Sequence, residues 1–207
     1  MQFFSAPRGF TLLELMITVA ILTVIAAFAA PSFQSLITGN RLTSEANELL
    51  AALGQARSEA IRLNRRTVLC RAGMSAGQVD AASGCAADAD GSWLAWMLFV
   101  DADASGQYNP DASNNPDEVL VRAHALQAGR FRAVAGSLLA GDGNRIVFRP
   151  DGLARAAGQT SLQTVALRLC DSSGSAQQNA RDVRVSGGSR LSVSRVTSSD
   201  CAAPEAG

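Results

Sequence analysis

Residues Phe10 to Ala30 read FTLLELMITVAILTVIAAFAA, twenty-one positions carrying a single charge at Glu14. As an α-helix rising about 1.5 Å per residue the stretch reaches about 31 Å, the thickness of a bilayer core. It reads as a membrane span. Two plainer readings share its hydropathy: a buried core helix, or a signal segment, for which Ala26-Ala27-Phe28-Ala29-Ala30 supplies small residues at a cleavage point. The span is longer than the apolar core of a signal peptide, about 7 to 15 residues. Glu14 suits neither plain reading, because a carboxylate in hydrocarbon is costly unless neutralised or paired. It asks for a partner.

Outward from this stretch the chain changes character. Its 207 residues are enough for one ordinary domain with something appended, and its 18 basic residues, all arginine, balance 18 acidic ones. Charged residues make up 17% of the chain, against about 25% in ordinary soluble domains, which excludes a uniformly basic nucleic-acid binder.

Pro31 lacks an amide donor and Gly39 weakens helical structure, so the helix is expected to bend at these points and resume. From Arg41 to Arg62 the residues Leu42, Ala46, Leu49, Leu50, Leu53, Ala56 and Ala60, with Leu63 just beyond, recur at threes and fours. Arg41, Glu45, Glu48, Arg57, Glu59 and Arg62 fall between them. That spacing predicts an amphipathic helix whose charged positions form a solvated face. The period then drops to two. Strands are expected at 67–70, 93–100, 118–123, 130–134, 145–148, 164–170, 181–185 and 190–196, with turns at Gly141-Asp142-Gly143-Asn144, Pro150-Asp151-Gly152 and Gly187-Gly188. The fold class is α+β, one long helix followed by antiparallel sheet.

Arg8-Gly9-Phe10-Thr11-Leu12-Leu13-Glu14-Leu15 resembles the processing site of type IV pilins and type II secretion pseudopilins. The resemblance implies cleavage after Gly9 by a membrane-embedded prepilin peptidase, N-methylation of Phe10, and pairing of Glu14 with the amino terminus of a neighbouring subunit. It divides the chain into a leader at 1–9, a transmembrane stalk helix at 10–38, and at 39–207 the rest of the helix with a β-rich periplasmic headgroup. Further motifs narrow the likeness. Ala56-Arg57-Ser58-Glu59-Ala60, Gly91-Ser92-Trp93, Phe99-Val100-Asp101, Ile146 to Gly152 and Leu169-Cys170 resemble the GspH/FimT family of minor pilins and pseudopilins. The implied architecture is the type IV pilin fold, and the implied role is that of a structural subunit anchored by a single pass in the inner membrane. Its partners would be the prepilin peptidase and other major and minor pilins or pseudopilins. Pilus and secretion apparatus remain alternatives.

An exported headgroup suits the four cysteines, which allow three connectivities. Sequential pairing closes the shorter loops, so Cys70–Cys85 and Cys170–Cys201 are expected; free buried thiols are the alternative. No close pair suggests zinc.

Acids collect in the middle of the chain. Asp80, Asp88, Asp90, Asp101, Asp103, Asp111, Asp117 and Glu118 occur with no intervening base. The run from Asp101 to Asn109 superficially resembles a calcium loop, yet an EF-hand asks for a central glycine, a terminal glutamate and flanking helices, and a strand precedes this run. Solvated loop acids are the expectation, with no metal and no cofactor. At the far end Arg181, Arg184, Arg190 and Arg195 face one acid, Asp182. Some relatives capture DNA through a Gly-Arg-x-Arg pattern in this region. Here it is Gly188-Ser189-Arg190-Leu191-Ser192, and strand alternation puts Arg190 on the opposite face from Arg195. A solvated sheet face is the simpler reading, and backbone contact with double-stranded DNA the alternative. His124, the only histidine, has no nucleophile placed beside it by any motif, so no catalytic residues and no enzyme activity are expected.

Overall fold

In a computed structural model, residues 9–86, 92–111, 113–127, 130–156, 158–173 and 178–205 are described. The leader before Gly9, and with it Arg8, lies outside them, as do Asp88, Asp90 and Gly91.

One helix, α1 (Leu12–Leu63), runs 52 residues without interruption through Pro31 and Gly39. Thr11 caps it, its hydroxyl accepting from the Glu14 amide at 3.2 Å. Asn64 ends it in the left-handed conformation at φ 52°, which asparagine tolerates better than most residues.

Among the described residues there are ten strands: β1 (Arg66–Ser75), β2 (Gln78–Cys85), β3 (Ser92–Trp93), β4 (Ala95–Asp101), β5 (Val119–Ala125), β6 (Phe131–Ala135), β7 (Arg145–Phe148), β8 (Val165–Asp171), β9 (Ala180–Ser186) and β10 (Arg190–Val196). A short α2 (Ser137–Gly141) lies between β6 and β7. All pairings are antiparallel. One sheet has the order β2-β1-β4-β5, with β7 on the other side of β1; the second has the order β10-β9-β8-β6-β3.

The single strand expected at 93–100 is divided. Ser92 and Trp93 pair with β6 in the second sheet, whereas Ala95 onward pairs with β1 and β5 in the first. Leu94, 48% exposed, is where the chain crosses between sheets. No local periodicity encodes such a crossing. β2 was not expected at all, because Gln-Val-Asp-Ala-Ala-Ser-Gly-Cys has one β-branched residue and follows β1 only through a tight turn.

The second half of α1 lies against both sheets. Leu42, Ala46, Leu49, Leu53, Ala56 and Ala60 are buried with Trp93, Trp96, Leu98, Phe148, Val183 and Val185. The first sheet is covered on its other face too, where Val68, Cys70, Met97 and Phe99 pack under Tyr108 and Leu120. Burial on both faces explains why Ala95 to Val100 is unbroken apolar sequence rather than alternating.

Candidate functional site

The first half of α1 stands free of the headgroup. From Leu12 to Phe28 every described side chain is exposed, and the apolar window is free of burial inside the molecule. Its hydroxyls are turned inward: Thr18 and Thr23 donate to the carbonyls of Leu15 and Ala20 at 2.9 and 2.8 Å. Such back-bonding lets a polar side chain sit in hydrocarbon. Glu14 is different. Among the described residues its carboxylate has no hydrogen-bond partner or ion pair, four positions from Phe10, which is 81% exposed. Gly9 and Phe10 precede the helix outside regular secondary structure.

Polar contacts fix the second half of α1 to the sheets. His124 Nε2 on β5 lies 2.8 Å from Glu45 Oε2, and Arg122 of the same strand pairs with Glu48. The hydrogen bond that the His124 ring donates to Glu45 raises the His124 pKa, against a smaller opposing effect of burial. The expected solvated face is therefore in part a seam, because β5 is an edge strand that brings its own charges alongside the helix.

Both cysteine pairs are bonded in sequential order, Cys70–Cys85 at a separation of 15 residues and Cys170–Cys201 at 31. The first ties β1 to β2. The second draws the C-terminal segment across the outer face of the second sheet, where three arginines receive it. Arg132 donates to the Asp200 carbonyl at 2.9 Å, Arg168 to that of Ala202 at 3.0 Å and Arg184 to that of Glu205 at 3.4 Å. Arg168 and Arg184 also pair with the buried Asp182.

The four candidate DNA-binding arginines do not share a surface. Arg181 is 4% exposed and donates to the Thr43 hydroxyl and the Gly39 carbonyl of α1, a buried position from which no guanidinium reaches a phosphate backbone. Burial lowers its pKa, with a smaller effect from Arg195, its direct cross-strand partner. Arg195 shares that side of the hairpin, while Arg184 and Arg190 occupy the other, and Arg184 is occupied by Asp182 and the tail. Ser189, which interrupts the Gly-Arg-x-Arg pattern, is fully buried. Its hydroxyl accepts from the Ala154 amide at 2.6 Å and its carbonyl from Arg57 at 3.4 Å, which turns the hairpin tip inward.

The acidic middle is likewise not uniformly solvated. Asp101 and Glu118 are 2% and 4% exposed, and their carboxylates meet that of the exposed Asp103, with oxygens within 4.8 Å of one another. Burial pushes the Asp101 carboxyl up to about 6, whereas the Ser105 amide holds Asp103 below its ordinary value. The run itself is plain in the sequence, whereas the return of Glu118 to it, from just before β5, is set by the pairing of β5 with β4.

Residues 45–189 match the family described as "Type II transport protein GspH", and residues 5–30 match the one described as "Prokaryotic N-terminal methylation motif". Two curated relatives from Moraxella bovis, the type IV major alpha-pilin and fimbrial protein Q, are each 45% identical over 47 residues. Those matches span 23% of this chain and 30% of each relative. Two crystal structures of the type IV minor pilin FimU of Pseudomonas aeruginosa superpose with a TM-score of 0.47 at 17% identity. They cover 78% and 79% of this chain and 100% and 96% of their own.

Proposed function

Since the chain belongs to the GspH family of type II transport proteins, we propose that it is a minor pilin incorporated into, or priming, a type IV pilus. The helix carries the reading: one continuous α1 has a bare apolar half ending in an unpaired Glu14 and a second half built into a disulfide-bonded head. In this role the bare half rests in the inner membrane as a single pass, with the head in the periplasm, until other stalks replace lipid around it. Cysteine pairing supports an oxidising compartment for the head. A prepilin peptidase cuts after Gly9 and methylates Phe10. Glu14 then pairs with the positive amino terminus of a neighbouring subunit, which neutralises it in a dry bundle and sets the axial register.

The family description favours one second reading, a pseudopilin of type II secretion. Affinity capture of the chain from membranes of its native bacterium separates the two, since pilus subunits as companions support the first and secretion pseudopilins the second. The subunit role itself is tested at the stalk. Gly9→Phe should abolish the shorter mature form in intact-mass measurements, and Glu14→Ala should leave processing in place but remove the chain from sheared filaments. Filaments carrying Glu14→Ala at wild-type levels would refute the pairing. The buried Arg181 and the tail-bound Arg184 count against the DNA-capture reading.

A further inference from the structure

The loop that joins β4 to β5 holds oxygen atoms that lack a counter-charge. Asp101 closes β4 as a buried side chain; its Oδ2 accepts from the Gly106 amide at 3.2 Å, while its Oδ1 is buried with no hydrogen-bond partner. A buried carboxylate oxygen left without donor or cation is costly. The other acids beside it are Asp103 and Glu118, and among the described residues no arginine ion-pairs with any of the three. Arg66, on the strand paired with β4, donates instead to the Ala104 carbonyl at 3.5 Å, and Arg145 lies near Gly106 without an ion pair to the cluster. Glu118 is oriented by two donors, the Asn109 amide at Oε1 and the Asn115 carboxamide at Oε2. The Asn109 carboxamide lies 2.9 Å from both Glu118 Oε1 and the Gln107 carbonyl, placed for its nitrogen to donate to both, and a half-turn would present its oxygen there instead.

Carboxylate oxygens gathered as closely as those of Asp101, Asp103 and Glu118 are relieved by a proton or by a metal ion. We propose that this loop binds one calcium ion through Asp101, Asp103, Asn109, Glu118 and the Gln107 carbonyl. The order of groups suits that ion. Acids at the first and third positions, a hydroxyl at the fifth, glycine at the sixth, a backbone carbonyl at the seventh and an amide at the ninth follow the pattern of a calcium loop. Gly106 supplies the turn at φ 71°. The terminal glutamate comes from Glu118 across the loop rather than three residues further along, and strands stand where an EF-hand has helices. The frame is held from outside: the Cys85 amide donates to Gln107 Oε1 at 3.3 Å, next to the Cys70–Cys85 bond, and Tyr108 lies against Phe99 with centroids 5.4 Å apart. A flexible ring of carboxylate and carbonyl oxygens favours calcium over magnesium, which holds its waters and demands near-octahedral geometry.

The test uses the full chain in detergent, stripped with a chelator and titrated with calcium chloride by calorimetry at neutral pH. Saturable uptake of one ion per chain, at a Kd of about 10⁻⁴ to 10⁻³ M as in extracellular modules, together with a rise in melting temperature, is the expected result. Asp103→Asn, at an exposed position that leaves the core intact, should weaken binding at least about tenfold, as loss of a charged ligand does. A folded wild-type chain with no saturable heat up to about 10 mM calcium overturns the proposal. Equal binding by Asp103→Asn overturns it as well, and equal competition by magnesium chloride overturns the choice of calcium.

Discussion

The two halves of α1 are one helix by backbone and two different objects by surface. Between Leu12 and Phe28 the side chains are exposed all round and almost wholly apolar; between Thr38 and Ala60 the apolar residues form one stripe, with charges beside it that grip β5. A helix apolar on every side needs lipid or other helices as its partner, whereas a striped one needs a sheet. The difference teaches that the boundary between stalk and head is set by what covers the helix, since Pro31 and Gly39 leave it unbroken.

That comparison can be tested from the head outward. Cys170→Ser with Cys201→Ser should cost the most, about 4 kcal/mol for a loop of this length if chain entropy governs. Unfolding by denaturant, followed through the fluorescence of the buried Trp93 and Trp96, measures it. Next comes a matched pair within the helix. Leu53→Ala should destabilise the head by about 3 kcal/mol through the cavity it leaves, while Leu22→Ala, on the bare half, should change the same transition by under about 0.5 kcal/mol. Similar losses for both would mean that the halves are not independent. Gly152→Ala tests the turn that seats the sheets on the helix: its φ is 73° and a Cβ would come within 2.8 Å of Ile61 Cδ1. Because Ile61 is exposed and its tip can yield, the backbone strain sets the cost, about 1 to 2 kcal/mol.

The smallest expected effect is one of pH. The folded pKa of His124 is raised by Glu45, so its contribution to stability is fully present below the unfolded value, about 6.5, and is lost as pH rises through the folded value. Glu45→Gln should flatten this decline in unfolding midpoints measured from acid to mildly alkaline pH. An unchanged slope would remove His124 from the seam.

Much of this was legible because it is written in local periods. The apolar run, the striped helix, the strand at 145–148 and the hairpin strand at 190–196 each depend on nearest neighbours in sequence, and the structure has them close to the expected bounds. The crossing at Leu94 was not legible, since it exists only by virtue of pairing partners elsewhere, and β2, a turn away from β1, was not legible because its residues have little strand preference of their own. The same holds for the charges. As sequence, Arg181 and Arg190 look alike, yet strand register puts the first against α1 and the second in solvent.

By itself the sequence determined that a membrane-length apolar helix leads into an antiparallel, cysteine-bearing head, because hydropathy, helical period and strand period are properties of adjacent residues. Only the tertiary structure decided which charges are buried, which arginines hold the C-terminal segment, and that Glu118 joins Asp101. Those outcomes rest on distances between residues far apart in the chain, which no local pattern records.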